Sequence, residues 1–309
     1  MTAPLVGRFA PSPTGRMHAG NIFAALLAWL IVRASGGEMV LRIEDLDPER
    51  SKPHFADAVQ RDFEALGLTW DRGPFWQHDR TEAYEAAFEA LVDACGAYPC
   101  FCTRADLAVA SAPHLGDKHV YRGTCRGLSA EEVRERRSAG EVPAIRLRVP
   151  HERIAFDDII CGRYGQMLDE ECGDFIVRRK DGAFAYQLAV VVDDAAQGVT
   201  SVTRGVDLLS STPQQVFLQR ALGLPEPVYA HLPLLVSEGG RRLSKRDGDA
   251  SLDGMLARSG HPAGVIGHIA WIAGLQGEDA PATPEQLLEG FDASALSKLY
   301  AGRISIPWR

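Results

Sequence analysis

A strand-to-helix junction near the N-terminus carries residues suited to holding a phosphate. The stretch G-R-F-A-P-S-P-T-G-R-M-H-A-G-N spans residues 7–21 and leads into an apolar helix. His18 and Gly20 would lie in the first helical turn, where free N–H groups and the helix dipole attract anions. Gly20 would let a base or ribose approach the backbone, and His18 could donate to a phosphate oxygen. A tight turn capped by His18 is the alternative.

A second stretch, R-R-L-S-K-R at residues 241–246, is basic and follows the glycine pair at 239–240. Flexible glycines before a basic run that contains serine are typical of a mobile loop that closes on a polyphosphate. Taken alone, such a run is more often a solvated surface loop. Because it occurs together with His18-Ala19-Gly20-Asn21, the two motifs favour a nucleotide site.

A loop-rich stretch with little core of its own contains three thiols: Cys100, Cys102 and Cys125. A zinc ion would stabilise such a module, although the spacing is not that of a regular zinc finger. Buried free cysteines are the alternative. His114 and His119 are chemically usual candidates for a fourth ligand. The remaining thiols are expected to be packing residues: Cys95, Cys161 and Cys172.

The hydrophobic pattern around these motifs indicates an α/β fold. A strand over residues 5–10, a helix over 19–34 and a strand over 39–43 predict a right-handed crossover in a parallel sheet. The site should then lie at the carboxyl ends of the strands. Further predicted strands cover residues 144–149, 154–160, 185–192 and 198–203, and further predicted helices cover 52–66, 214–222 and a segment around 264–274.

Changes of character along the chain predict four segments. They are a first parallel-sheet segment (1–96), an insertion that contains the three thiols (97–172), a second parallel-sheet segment (173–224), and the basic loop with a small, mainly helical region (225–309).

Composition excludes several classes of protein. A net charge of −8 over 309 residues argues against indiscriminate nucleic-acid binding. The N-terminus has no basic segment followed by an apolar core, and the longest apolar run, residues 22–32, is too short to cross a bilayer. We therefore expect a cytoplasmic protein with reduced cysteines and no membrane partner.

Together these motifs resemble a known family. H-A-G-N at 18–21 resembles the first signature of class I aminoacyl-tRNA synthetases, and residues 242–246 resemble their second, mobile-loop signature. R-F-A-P-S-P-T-G at 8–15, R-I-E-D-L-D at 42–47 and V-T-R-G-V-D-L-L at 202–209 resemble the glutamyl branch. The resemblance implies a Rossmann-type class I catalytic domain with a zinc-containing insertion and a small helical C-terminal region.

The resemblance also implies site residues. The L-glutamate site would comprise Arg8, Phe9, Ala10, Pro11, Ser12, Glu44, Tyr186 and Arg204. The ATP site, with Mg²⁺ accompanying ATP, would comprise His18, Gly20, Asn21, Ser244 and Lys245, of which His18 and Lys245 would be catalytic. One structural Zn²⁺ would be held by Cys100, Cys102, Tyr121 and Cys125.

The chemistry of glutamate fits these residue types, because its side-chain carboxylate requires a cation and its ammonium group an anion. By the resemblance, Arg8 and Arg204 would hold the side-chain carboxylate, Glu44 the ammonium, and Tyr186 a substrate oxygen. A structural salt bridge between Arg8 and Glu44 is the alternative. The second signature departs from its usual form at Leu243 and Arg246 and keeps Lys245.

In the glutamyl branch a large helical domain that reads the anticodon follows the catalytic core, and this sequence ends before such a domain. A chain of that kind resembles the glutamyl-queuosine tRNA(Asp) synthetases, which attach glutamate to the cyclopentenediol of queuosine. The expectation is a monomer that activates L-glutamate with ATP without tRNA and then modifies queuosine-containing tRNA(Asp). The alternatives are a glutamyl-tRNA synthetase fragment that charges tRNA(Glu), a nonenzymatic RNA-binding paralogue, and a nucleotidyltransferase for a small metabolite.

Overall fold

The computed structural model describes residues 3–103, 120–241, 243 and 250–308. Its strands are β1 (Val6–Phe9), β2 (Glu38–Ile43), β3 (Arg72–Trp76), β4 (Ala97–Cys100), β5 (Ala144–Leu147), β6 (Arg153–Asp158), β7 (Gly162–Met167), β8 (Phe175–Arg178), β9 (Ser201–Gly205), β10 (Val228–Leu232), β11 (Leu234–Val236) and β12 (Ser305–Pro307). Its helices are α1 (Ala19–Ala34), α2 (Pro53–Ala65), α3 (Thr81–Cys95), α4 (Ala130–Ser138), α5 (Leu168–Glu171), α6 (Tyr186–Ala196), α7 (Thr212–Ala221), α8 (Leu252–Ser259), α9 (Pro262–Ile272), α10 (Pro284–Leu288) and α11 (Leu296–Leu299). Within these ranges, none of the helices has the length and apolar character that a membrane span requires.

Two sheets that contain parallel strands meet edge to edge. The first has the order β1-β2-β3, and the second has the order β7-β6-β10-β9, in which β6, β10 and β9 are parallel. The Thr200 N–H, just before β9, donates to the carbonyl oxygen of Val6 on β1 at 2.8 Å. The predicted α/β organisation with parallel strands is therefore confirmed.

Helix α1 connects β1 to β2 and forms the centre of the hydrophobic core that packs against the first sheet. Ile22, Leu26 and Leu30 are completely buried on it, as expected for a helix that is apolar on nearly all sides. The chain leaves α1 through Gly36, whose φ of +72° is a conformation that glycine adopts without strain. This crossover places the N-terminus of α1 at the carboxyl end of β1, where the sequence predicts the site.

A smaller antiparallel sheet, β4-β5-β8, is built from residues between 97 and 178. The predicted strands over 144–149 and 154–160 correspond to β5 and β6. The first of these lies in the small sheet, whereas β6 pairs with β10 in the larger one. Strands from different predicted segments therefore share a sheet, and the division of the chain into domains remains a prediction.

The predicted strand over residues 185–192 is wrong, because helix α6 occupies this stretch. A short apolar run is compatible with a buried strand or a buried helix, and its three consecutive valines favoured the strand. In the structure α6 packs against α3 and α7, and this packing overrides the β-propensity of the valines. The helix brings Tyr186 to its first turn and Asp194 near its end, and both positions matter for the site.

Gly37 sets the distance between the end of α1 and β1. A Cβ at this position would overlap the carbonyl oxygen of Leu5, which accepts a hydrogen bond from the Glu38 N–H at 3.0 Å. We expect Gly37→Ala to lower the free energy of unfolding by about 1–3 kcal/mol, because the backbone must shift. Urea titration followed by circular dichroism measures this loss.

Gly277→Ala is the matched control, because a Cβ at Gly277 would have no described atom within 4 Å. Its expected effect is within about 0.5 kcal/mol. Equal losses in the two variants would contradict the role given to Gly37.

Candidate active site

A cleft of about 1500 Å³ lies at the carboxyl ends of the parallel strands. Arg8 comes from β1, Glu44 directly follows β2, and Arg204 comes from β9. The cleft is lined by all of the described residues that the sequence assigns to glutamate and ATP: Arg8, Phe9, Ala10, Pro11, Ser12, His18, Gly20, Asn21, Glu44, Tyr186 and Arg204. The fold thus brings these residues together, while their individual roles remain predictions.

His18 is the N-cap of α1. Its Nδ1 accepts a hydrogen bond from the Gly20 N–H at 3.1 Å, and the Asn21 side chain accepts one from the His18 N–H at 3.2 Å. The capping role that the sequence left as an alternative is therefore present. Because Nδ1 accepts, the proton of the neutral ring lies on Nε2, which becomes a donor. A Cβ at Gly20 would come within 3.1–3.2 Å of the His18 ring, so this turn favours glycine.

The segment after the second signature begins beside this cap. Ser251 forms an antiparallel bridge with His18, and the Leu252 N–H donates to the carbonyl oxygen of Met17 at 3.1 Å. Leu243 is buried and lines the cleft. Several predicted residues lie outside the described part of the chain: His114, His119, Arg242, Ser244, Lys245 and Arg246.

A group of buried charges underlies the glutamate end of the cleft. Arg42, with no exposed side-chain surface, donates to Asp194 Oδ1 at 2.7 Å and to Glu44 Oε1 at 3.2 Å. Arg8 Nε lies 3.6 Å from the same Asp194 oxygen. Burial acts to lower the pKa of Arg42, but its neighbouring carboxylates, above all Asp194, together raise it. Arg8 therefore pairs with Asp194, and Glu44 pairs with Arg42.

Glu44 and Tyr186 have shifted pKa values. Burial raises the pKa of Glu44, although Arg42 and Arg8 oppose the shift. An ammonium group bound beside Glu44 would favour its ionised form. Burial, together with the charge of Glu44, raises the pKa of Tyr186, so its phenol keeps its proton at neutral pH and can donate a hydrogen bond.

Arg204 is buried and held by three side chains. Its Nε donates to His231 Nε2 at 3.0 Å, and its Nη2 donates to Thr212 Oγ1 and to Gln215 Oε1, each at 2.7 Å. Its Nη1 is buried with no hydrogen-bond partner among the described residues. An unsatisfied cationic donor in a cleft wall is costly and fits a site that receives a carboxylate.

His231 and Asp158 were not found by sequence reasoning. They lie on β10 and β6, and the His231 Nδ1 is 2.6 Å from Asp158 Oδ2 with both side chains fully buried. Burial lowers the pKa of His231 to about 4, so the ring is neutral at physiological pH. No local motif marks either residue, because the pair forms only when β6 and β10 lie side by side.

The three predicted cysteine ligands lie together: the sulfurs of Cys100, Cys102 and Cys125 are within 4.8 Å of one another. Cys102 Sγ and Cys125 Sγ are 3.6 Å apart, close to the roughly 3.8 Å between two sulfurs bound to one tetrahedral zinc. Tyr121 Oη lies 3.5 Å from Cys100 Sγ and accepts from the Cys125 N–H at 2.8 Å. The three thiols therefore fit a zinc ion, and the Tyr121 hydroxyl lies beside them.

Comparison with known proteins decides the family. Residues 4–291 match the model of the catalytic domain of class I tRNA synthetases (E and Q). The glutamyl-Q tRNA(Asp) synthetase of Symbiobacterium thermophilum is 47% identical over 305 residues, which cover 95% of this chain and 94% of that protein. The glutamyl-Q tRNA(Asp) synthetase of Geobacter sulfurreducens is 49% identical, and the alignment covers 81% of this chain and 78% of that protein.

The chain belongs to the glutamyl-Q tRNA(Asp) synthetase family.

Solved structures of glutamyl-tRNA synthetases share the fold of this family member. The glutamate tRNA ligase of Elizabethkingia meningosepticum, solved in complex with its amino acid, aligns with a TM-score of 0.78 and 26% identity. The alignment covers 94% of this chain and 65% of that one. The glutamate-tRNA synthetase of Elizabethkingia anophelis aligns with a TM-score of 0.81 over 99% of this chain and 68% of its own. The catalytic fold is therefore that of a class I synthetase.

The charge network of this synthetase offers a stability test. We expect Arg42→Ala to lower the free energy of unfolding by about 3–5 kcal/mol, because it leaves buried carboxylates without their cation. Chemical unfolding in urea at pH 7 measures the loss.

Arg163→Ala is the control, because Arg163 pairs with Asp157 at 2.9 Å while both side chains remain mostly exposed. A loss of at most about 1 kcal/mol is expected there. A comparably small loss for Arg42→Ala would show that its ion pairs are not needed for stability.

Proposed function

We propose that this chain activates L-glutamate with ATP and transfers the glutamyl group to queuosine in the anticodon of tRNA(Asp). The observation that carries the proposal is the buried Nη1 of Arg204, which has no hydrogen-bond partner in the described part of the chain and lies in a cleft that also contains Arg8 and Glu44. The two cations suit the side-chain carboxylate of glutamate, and the anion suits its ammonium group. The names of the relatives, each 44–49% identical to this chain, support the acceptor.

In the first step, an oxygen of the glutamate α-carboxylate attacks the α-phosphorus of Mg-ATP. A mixed anhydride forms and pyrophosphate leaves with the electrons of the broken P–O bond. Arg8 and Arg204 would hold the side-chain carboxylate, and Glu44 would hold the ammonium group. This arrangement would leave the α-carboxylate oriented toward the nucleotide, and much of the acceleration would come from that alignment.

The ATP half of the site would use the N-terminus of α1. The dipole of this helix and the Nε2–H of His18 would stabilise negative charge on the phosphates. Gly20 and Asn21 would contact the nucleotide, and Ser244 and Lys245 would approach from the second signature. Lys245 would neutralise charge that develops on the departing pyrophosphate.

In the second step, a hydroxyl of the cyclopentenediol of queuosine attacks the carbonyl carbon of the anhydride. An ester forms, AMP leaves, and the proton of the hydroxyl passes to solvent or to the phosphate. Activation would not require RNA, and the shared cleft lined by the proposed glutamate residues and the α1 cap supports this expectation.

The acceptor distinguishes the proposal from an ordinary glutamyl-tRNA synthetase. We expect labelled glutamate to attach to queuosine-containing tRNA(Asp), and not to unmodified tRNA(Asp) or tRNA(Glu). Filter-bound radioactivity with the three purified RNAs measures this. Charging of tRNA(Glu) alone would favour the alternative function.

Lys245→Ala tests the catalytic role of Lys245 in the activation step. We expect glutamate-dependent exchange of pyrophosphate into ATP to fall by about 100-fold or more, because preorganised charge stabilisation supplies several kcal/mol. The exchange should proceed in wild type without RNA. Near-normal exchange by the variant would remove Lys245 from the mechanism.

We also propose one structural zinc ion per chain, held by Cys100, Cys102, Cys125 and Tyr121. The 3.6 Å separation between two of the sulfurs supports a metal at their centre. When bound, the ion would crosslink β4 to the segment that contains Tyr121, a residue that also lines the cleft.

Elemental analysis of the purified protein should give one zinc per chain, and Cys102→Ser should lower that content together with the thermal midpoint. Cys95→Ser is the control, because Cys95 ends α3 and is not part of the cysteine cluster. Folded wild-type protein free of metal would overturn the zinc proposal.

A further inference from the structure

The orientation of Arg204 depends on which nitrogen of His231 carries the proton. A guanidinium only donates hydrogen bonds, and Arg204 Nε lies 3.0 Å from His231 Nε2. His231 Nε2 must therefore accept, which leaves the ring proton on Nδ1. That nitrogen faces Asp158 Oδ2 at 2.6 Å, so the imidazole donates to the carboxylate.

Backbone N–H groups hold the Asp158 carboxylate in place beside His231. Its Oδ1 accepts from the N–H groups of Ile160 and Cys161 at 2.9 and 2.8 Å, and its Oδ2 accepts from the His231 N–H at 3.1 Å. Burial acts to raise the pKa of Asp158, but the hydrogen bonds it accepts lower it below the ordinary value. The carboxylate therefore stays ionised and keeps the His231 proton on Nδ1.

We propose that Asp158 and His231 are positioning residues that hold Arg204 for the side-chain carboxylate of the substrate. The inference rests on the proposed function of Arg204 in glutamate binding. Nε and Nη2 are held by His231, Thr212 and Gln215, so the guanidinium cannot rotate without breaking hydrogen bonds. This arrangement keeps Nη1 as the donor left for a ligand.

The pair also supplies a counter-charge. Arg204 carries a buried positive charge, and the negative charge of Asp158 reaches it through the polarised imidazole. Direct contact between Asp158 and Arg204 would occupy guanidinium donors that the substrate needs. The intervening neutral ring lets Arg204 stay compensated while Nη1 remains available, which favours a carboxylate over the amide of glutamine.

Asp158→Asn tests the tautomer with minimal change of shape. The amide can donate to His231 Nδ1, which moves the ring proton to Nε2 and sets it against the Nε–H of Arg204. We expect the KM for glutamate in pyrophosphate exchange to rise roughly ten- to hundred-fold, with the KM for ATP unchanged. Discrimination between glutamate and glutamine should fall by a similar factor. His231→Phe, which fills the volume but cannot accept, should behave alike.

Gln219→Met is the control for loss of a buried hydrogen bond in the same region. Among the described contacts, the Gln219 side chain bonds only the Tyr229 hydroxyl, at 3.0 Å, and has no hydrogen bond to Arg204. It should lower the thermal midpoint without moving the KM for glutamate. If both test variants keep the wild-type KM for glutamate, or raise both KM values equally, the positioning role is refuted.

Nitrogen-15 NMR of histidine-labelled wild-type protein gives an independent measurement. The His231 signal, assigned with His231→Phe, should show a protonated Nδ1 and an unprotonated Nε2, and Asp158→Asn should reverse them. A proton on Nε2 in wild type would overturn the proposal. Absence of glutamate-dependent exchange in wild type would instead contradict the proposed function, so the two failures are distinguishable.

Discussion

The pairing of buried charges is the constraint on which the rest of the site depends. Arg42 has no exposed side-chain surface, and it binds Asp194 and Glu44 at once. Buried ions are tolerated only when their charges and hydrogen bonds are satisfied, so these residues must meet in one arrangement. Arg42 lies on β2, Glu44 directly follows this strand, and Asp194 lies on α6. The charge network therefore fixes how α6 sits against the first sheet.

The same constraint leaves specific groups for a ligand. Arg8 is compensated by Asp194, and Arg204 is compensated through His231, yet Nη1 of Arg204 has no hydrogen-bond partner among residues 3–103, 120–241, 243 and 250–308. Glu44 keeps a raised pKa despite two nearby arginines. A molecule that carries carboxylates and an ammonium group would satisfy these groups. The chemistry of the cleft thus follows from what the protein's own ion pairs leave unsatisfied.

Much of this organisation could be predicted from the sequence, and the limits have physical causes. Local signals predicted β1, α1 and β2, because a long apolar helix between two buried strands is an unambiguous pattern. Helix α6 was mistaken for a strand, since its valines have strand propensity and only packing decides between the two. Sequence motifs predicted the candidate substrate-binding residues that line the cleft. Asp158 and His231 carry no motif, because contacts between β6 and β10 create their role.

The two parallel-stranded sheets meet along a seam between their edge strands β1 and β9. This seam joins residues that are far apart along the chain. Arg8 donates to the carbonyl oxygen of Thr203 at 3.3 Å across a separation of 195 positions. Closing so long a loop comes at an entropic cost that local contacts cannot repay early in folding. Glutamate contacting residues on both sides of the seam would bind only chains that have completed this closure. If glutamate contacts Arg8 and Arg204 as proposed, its binding would stabilise the closed arrangement by mass action.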